Sequence, residues 1–493
     1  MNGHPLYTVA QARELERTAI DALRIPGYEL MRRAGAAALD QLRLRWPGAR
    51  RIAVLCGTGN NGGDGYVLAR LARDAGLDAV VVALGPPRNA SEAAQAQADW
   101  RAGGGEVLPP DAQWPQADVY VDALFGIGLA RAAEGAAHGL IERLNTAAKP
   151  VLALDVPSGL DADTGFAPGQ AVRAAATITF IADKRGLHTG VAADCTGDIA
   201  VDSLGVPDDT RAGIRCDARL LDAAGIAASL PPRARDGHKG RYGHVLAIGG
   251  DHGMGGAIRL AGEAALRSGA GLVSVATRAE QVAAINAARP ELMAHAVSGI
   301  QELKPLLERA SVVAIGPGLG RRAWGHALWR TAIAAGKPLV LDADGLNLLA
   351  NDSLALPAQS VLTPHPGEAA RLLGVEVAAI AHDRFAAARE LARRHHATIV
   401  LKGAGTLIAN VDGDIAVCPW GNPGMATGGM GDVLTGVIAG LLAQGFDPWR
   451  AARVGVALHA RAGDAAARDG EAGLIAGDLL ASLRRLRNGF GAA

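Results

Sequence analysis

The sequence predicts an α/β protein of two domains, each a largely parallel sheet covered by helices. The chain runs to 493 residues, more than one hydrophobic core ordinarily supports. Short apolar runs alternate with alanine-rich helical stretches along both halves, the pattern of right-handed βαβ units. Between the halves, the stretch "LDAAGIAASLPPRARDGHKG" (221–240) follows neither the strand nor the helix period and carries a proline pair. It is read as a linker and entry segment between domains 1–220 and 241–493.

In the first half, Thr8 and Gln11 form a capping box that opens a helix, which runs to Leu23 and stops at Ile25-Pro26-Gly27. A second helix reaches about Trp46. Strands are then expected at 52–56, 79–84, 119–121, 151–155 and 177–181, which makes this a doubly wound domain. In the second half they are expected at 244–248, 272–276, 312–315, 339–341, 361–363 and 398–401. Asp412-Gly413, between the apolar runs 406–410 and 415–418, predicts a late hairpin. A parallel sheet, a late hairpin and then a glycine-rich turn and helix is the order of ribokinase-like folds.

Composition excludes several classes of function. Lysine plus arginine equals aspartate plus glutamate at 49 each, so no net field recruits nucleic acid or a membrane surface. Cys56, Cys195, Cys216 and Cys418 lie far apart without a Cys-x-x-Cys spacing, which fits reduced cytosol rather than a zinc site or a disulfide framework. No apolar run approaches the roughly 20 residues of a membrane helix, and no export signal opens the chain. The expected partner is a small molecule and the expected location the cytoplasm.

"LCGTGNNGGDGYVLAR" (55–70) places glycines at the end of the first doubly wound strand, where open α/β sheets hold ligands. Its amides suit a phosphate at a helix start, and a tight turn with Asp64 as helix cap is an equal reading of the loop alone. Asp122 in "VDALFGIGL" and Asp155 and Ser158 in "ALDVPSGLDADTG" end two further strands. Asn61, Asp122 and Ser158 together offer only oxygen ligands, the set for a hard cation.

These motifs resemble the NAD(P)H-hydrate epimerase domain over residues 1–220, a Rossmann-like fold. The resemblance implies that Asn60, Asn61, Gly62, Gly63 and Asp64, with Gly126, Ile127, Gly128 and Leu129, hold the nucleotide. It further implies potassium on Asn61, Asp122 and Ser158, and Asp155 as substrate-binding acid/base. Lys184 either assists Asp155 or is an ordinary exposed lysine.

In the second half, "NPGMATGGMGDVLTGVIAGLLAQG" (422–445) sets three glycines before an apolar helix, with Asp432 at its rim. Amides and helix dipole would stabilise a phosphoryl group there while Asp432 accepts a proton; alone, Asp432 reads as a helix cap. Lys402-Gly403-Ala404-Gly405-Thr406 suits a nucleotide diphosphate, and Asp342, Asp344 and Asn347 suit magnesium or its waters. "TPHPGE" (363–368) and the 422–434 segment resemble the ADP-dependent NAD(P)H-hydrate dehydratase, a ribokinase-like family. The resemblance implies hydrate contacts from Ala257, Gly320, His365 and Asp432, ADP contacts from 402–406, and an AMP contact from Gly431.

The expectation is therefore a bifunctional repair enzyme for the hydrates of NADH and NADPH. Potassium serves its first half, ADP with magnesium its second, and the chain assembles as a homo-oligomer. The alternative is a ribokinase-like vitamin-precursor kinase fused to a non-catalytic ligand-binding module. A dehydrogenase is disfavoured because the first loop lacks Gly-x-Gly-x-x-Gly and "VVVALGPP" ends without an acidic residue.

Overall fold

The computed structural model describes residues 3–128, 131–352 and 354–490. Contacts divide the chain into two compact units, Pro5–Ala218 and the remainder. The first strands in chain order are β1 (His4–Leu6), β2 (Arg51–Cys56), β3 (Asp78–Ala83), β4 (Val107–Leu108), β5 (Val119–Ala123), β6 (Val151–Leu154), β7 (Ala176–Phe180), β8 (Asp198–Asp202) and β9 (Ala218–Leu220). Then follow β10 (His244–Ile248), β11 (Leu272–Thr277), β12 (Met293–Ala296), β13 (Val312–Ile315), β14 (Leu339–Leu341), β15 (Ser360–Leu362), β16 (Thr398–Leu401), β17 (Leu407–Ala409) and β18 (Ile415–Val417).

The unit Pro5–Ala218 is built on a seven-stranded sheet in the order β4-β3-β2-β5-β6-β7-β8, parallel throughout. Side chains alternate across it, and both faces are covered. Ile52, Val54 and Cys56 of β2 pack with the helices that contribute Leu15, Leu42 and Leu68, whereas Ala53 and Leu55 face Leu140, Ile141 and Leu144. Winding reverses between β2 and β5, which opens a crevice at their carboxyl ends. Main chain closes on main chain there: a Cβ on Gly57 would lie 1.8 Å from the Leu124 carbonyl oxygen.

The second unit carries a sheet in which β9-β18-β17-β16-β15-β14-β13-β10-β11-β12 lie side by side. It is parallel from β12 to β16, and the hairpin expected at Asp412-Gly413 forms as antiparallel β17 and β18. Its winding reverses between β10 and β13. The apolar helix Met430–Ala443 lies at the centre of the core, with Val433, Val437, Ile438 and Leu441 fully buried against helix Gly255–Ser268 and the sheet.

Several expectations are corrected by packing. The first helix ends at Asp21, although its capping box forms as read. β6 stops at Leu154 because Asp155 takes a left-handed backbone, φ +63°. The segment read as a linker contains a helix, Ala223–Ala228, capped by the Asp222 carboxylate and anchored by buried Ile226. β1, β4, β8, β9 and β12 were not expected from the apolar pattern: four have two to four residues or sit at a sheet edge, and β8 alternates poorly because its residues are only half-buried or exposed.

Candidate active sites

In the first unit, the β2 loop leads into helix Asn60–Asp74. Its cap is Gly59, so Asp64 is no cap; it sits inside the first turns, within reach of the charges of Asp155, Glu16 and Lys184. Asp155 gathers the centre. Its Oδ1 accepts from Lys184 Nζ at 2.5 Å, from Thr179 Oγ1 at 3.2 Å and from the Phe180 amide at 3.3 Å. Lys184 is 1 % exposed, which removes the surface-lysine reading, and it spends its other protons on Thr179 Oγ1 and the Phe180 carbonyl. Oδ2 of Asp155 turns instead toward the Gly126 loop: a Cβ on Gly126 would lie 3.2 Å from it and 3.5 Å from Asn61.

Burial and the charge of Asp155 push the Asp64 carboxyl well above its usual range, and burial and Asp155 also raise Glu16, on helix Val9–Asp21. Three carboxyls thus share one ammonium. Glu16 gave no signal in the sequence, where it reads as the polar flank of an amphipathic helix.

Asp122 and Ser158 meet as expected. Asp122 accepts from Ser158 Oγ at 2.7 Å, the Ser158 amide at 2.7 Å and the Leu124 amide at 3.2 Å. Burial nevertheless pushes the Asp122 carboxyl up to about 6, and no cationic side chain pairs with it among the described residues. Asn61 is buried with neither its oxygen nor its nitrogen hydrogen-bonded. Asn60 and Gly128 are exposed at the rim, Gly62 and Gly63 are buried, and Ile127 packs against the Val156 and Leu160 cluster. Leu129 lies outside the described residues.

The second unit repeats this arrangement with different elements. Asp342, at the end of β14, is 1 % exposed and binds Lys402 Nζ at 2.8 Å and Thr435 Oγ1 at 2.9 Å. Lys402, at the end of β16, also lies 3.7 Å from Glu368 Oε2. Burial opposes the charge on Asp342, but Lys402 outweighs it and leaves that carboxyl below its usual range. Glu368 is raised by burial, and Asp432 is pushed up to about 7 by burial and the Asp342 charge.

Asp432 is the third residue of helix Met430–Ala443 and not its cap, which is Gly429 at φ +89°. The first amides of that helix have no intrahelical acceptor, and its Asp432 feels the charges of Asp342 and Lys402. A Cβ on Gly431 would lie 3.3 Å from Lys402 Nζ and 3.4 Å from Asp342, so the backbone here runs close against the pair. His459, pressed down to about 4 by burial and therefore neutral, meets the Met430 carbonyl at 2.9 Å and braces the helix start.

Lys402 serves the carboxyl cluster, while Gly403, Ala404, Gly405 and Thr406 form the partly exposed turn after it; Arg384 supports that turn through the Leu401 and Lys402 carbonyls. His365 caps helix Pro366–Leu373, its Nδ1 accepting from the Gly367 and Glu368 amides, and its ring is half exposed. Gly320 donates its amide to Asp344, and Ala257 sits in the first turn of helix Gly255–Ser268. The three residues read as suiting magnesium each meet another group. Asp342 is held by Lys402, Asp344 by the Gly320 amide and Asn347 by Arg371 at 2.5 Å.

Among the described residues no helix is long and apolar enough to cross a membrane. A family model described as NAD(P)H-hydrate dehydratase matches residues 245–485, and one described as YjeF-related protein N-terminus matches residues 27–186. The chain is 50% identical over 486 residues to the bifunctional NAD(P)H-hydrate repair enzyme of Coxiella burnetii, covering 98% of this chain and 99% of that one. It is 46% identical over 488 residues to the enzyme of the same name from Escherichia coli, covering 98% and 94%. The crystal structure of an ADP/ATP-dependent NAD(P)H-hydrate dehydratase from Bacillus subtilis, co-crystallised with ATP and Mg2+, is similar at 33% identity and a TM-score of 0.50, covering 55% of this chain and 97% of that one. With both halves matched in order and full-length relatives near half-identical, the chain belongs to the family of bifunctional NAD(P)H-hydrate repair enzymes.

Proposed function

We propose that the two clusters divide the repair between them. The Rossmann-like half interconverts the R and S hydrates of NADH and NADPH; the ribokinase-like half uses ADP to dehydrate the S form, releasing AMP and phosphate. The observation that carries this is the duplicated arrangement: one lysine among three carboxyls at the carboxyl ends of each parallel sheet.

In the first half, Asp155 is the acid/base. Lys184 saturates one oxygen and fixes the carboxylate, leaving Oδ2 to move a proton at the hydrated ring. The loops at 60–64 and 126–129 hold the nucleotide. Unpartnered Asn61 and cation-free Asp122 fit potassium, which Asn61, Asp122 and Ser158 would hold and which would supply positive charge beside the substrate phosphates.

In the second half, Asp432 accepts the ring hydroxyl's proton as that oxygen attacks the β-phosphorus of ADP and AMP leaves. The ring nitrogen's lone pair then expels phosphate and leaves an iminium, and loss of a proton from the neighbouring ring CH2 to the departing phosphate restores the double bond of the dihydronicotinamide. The helix amides at Gly431 and Asp432 stabilise the transferring phosphoryl group, Lys402 to Thr406 hold the ADP, and Ala257, Gly320 and His365 line the hydrate. Asp342, Asp344 and Asn347 are not a ready set for a resident magnesium ion.

Four unpaired cysteines, three of them buried, support a reducing, cytosolic setting. Homo-oligomeric assembly is part of the same reading and is checked by light scattering. Chemically hydrated NADH supplied with ADP should regain dihydronicotinamide absorbance. ATP-driven phosphorylation of a vitamin precursor without that recovery would favour the kinase reading.

A further inference from the structure

A cavity of about 480 Å³ opens in the second unit, and none of its lining residues belongs to the Asp342–Lys402–Asp432 cluster. Its size falls within the roughly 300–1,000 Å³ of small-molecule sites. The end of helix Gly255–Ser268 and helix Ala476–Asn488 form two of its walls. Arg233, Arg267, Arg289, Arg484 and Arg487 line it against only Glu263 and Glu291, a formal surplus of three positive charges.

The glutamate within is already committed. Glu263, 4 % exposed at its side chain, pairs with Arg289 at 2.5 Å, Arg259 at 3.1 Å and Arg267 at 3.5 Å. Among the described residues Arg487 has no such partner. It is 9 % exposed, reaches only the Pro231 carbonyl at 3.4 Å and 3.5 Å and the Gln444 side-chain oxygen at 3.3 Å, and leaves its Nε without a hydrogen bond. Arg289 Nε is buried and unbonded as well. Arg233 lies over the Tyr242 ring at 4.0 Å, and among the described residues neither it nor Arg484 pairs with a carboxylate.

Burying a guanidinium without counter-charge is costly, and its planar fork of donors matches phosphate oxygens. We propose that this cavity binds a multiply charged phosphate-type anion, free or as the terminal group of a small phosphorylated metabolite, held by Arg484 and Arg487 with Arg289.

The full-length protein is titrated calorimetrically with inorganic phosphate and with ribose 5-phosphate at constant ionic strength, using nitrate as the monovalent control. Saturable binding is expected for the phosphates and none for nitrate. Tighter binding of ribose 5-phosphate identifies a metabolite site, and equal binding identifies free phosphate. Arg484→Gln should weaken the interaction about tenfold, the loss of one charge-assisted contact, while leaving the ADP titration unchanged. Arg487→Gln should weaken it at least as much; if that variant fails to fold, exposed Arg484 still decides. Crystals soaked in tungstate should show a heavy-atom peak between Arg484 and Arg487. Superimposable titrations of the parent and Arg484→Gln proteins, or tungstate at the nucleotide cluster alone, would overturn the proposal and leave Arg487 as a staple to the Pro231 carbonyl.

Discussion

Lys184 holds Asp155 by one oxygen at 2.5 Å and leaves the other facing the Gly126 loop. A carboxylate restrained in this way keeps a single oxygen, in a fixed direction, for proton transfer. The backbone enforces the same direction, since φ at Asp155 is +63°. Such a conformation is strained for an ordinary residue but accessible to aspartate and asparagine.

Asp155→Asn should therefore fold, because asparagine tolerates the left-handed backbone and matches the side chain in shape. Interconversion of R and S hydrates should fall by about 10²–10⁴-fold, the contribution of a positioned acid/base group. Dehydration of the S hydrate should be unchanged. Chiral separation of the hydrates over time reads the first and absorbance recovery the second; unimpaired interconversion would remove Asp155 from the chemistry.

Lys184→Met should destabilise the first half by roughly 3–5 kcal/mol, because Asp155, Asp64 and Glu16 lose their shared cation. The sign with pH follows from those carboxyls. Asp64 and Glu16, raised by burial, are neutralised as pH falls, so the deficit seen in urea unfolding should shrink toward acid pH. A constant deficit would indicate lost packing instead.

Asp432, pushed up to about 7, must lose its proton to act as a base. The acid limb of kcat/KM for dehydration should thus lie near pH 7, and Asp432→Asn should abolish both the limb and most of the rate. Stability moves the other way. With a folded value above the ordinary carboxylate range, the native state holds the proton more tightly, so ionisation costs stability as pH rises through the window from about 4 to about 7. The gain in melting temperature of Asp432→Asn should accordingly be larger above pH 7 than near pH 4.

Two neighbouring glycines should respond differently. A methyl group on Gly429 meets Leu260 Cδ1 at 2.9 Å and Ala476 Cβ at 3.0 Å on a backbone of φ +89°, whereas one on Gly428 meets nothing within 4 Å. Gly429→Ala should cost about 1–3 kcal/mol and weaken ADP binding by displacing the helix start. Gly428→Ala should leave unfolding unchanged. Equal effects would detach the cap geometry from nucleotide binding.

Both sheets were legible because their central strands are buried on two faces and read as apolar runs bounded by glycine and proline. Edge strands such as β4 and β12 carry no such run, and their pairing depends on neighbours distant in sequence. Much of each site was also visible, since Asp155, Lys402 and Asp432 stand at strand or helix ends beside glycines. Glu16 was not, because only tertiary packing brings the first helix to the Asp155 carboxylate. The partner of Asp342 was hidden for a related reason: no local pattern shows that Lys402, sixty residues later, meets it.

The second cluster has Asp342, Glu368 and Asp432 around the ammonium of Lys402, so its floor is short of cations before any nucleotide arrives. A polyphosphate docking there has to import its own neutralisation. On the proposed function, magnesium would then arrive as luggage carried by the nucleotide, and the enzyme's thirst for that ion should track the charge of the phosphate donor and fade once only AMP is left in the cleft.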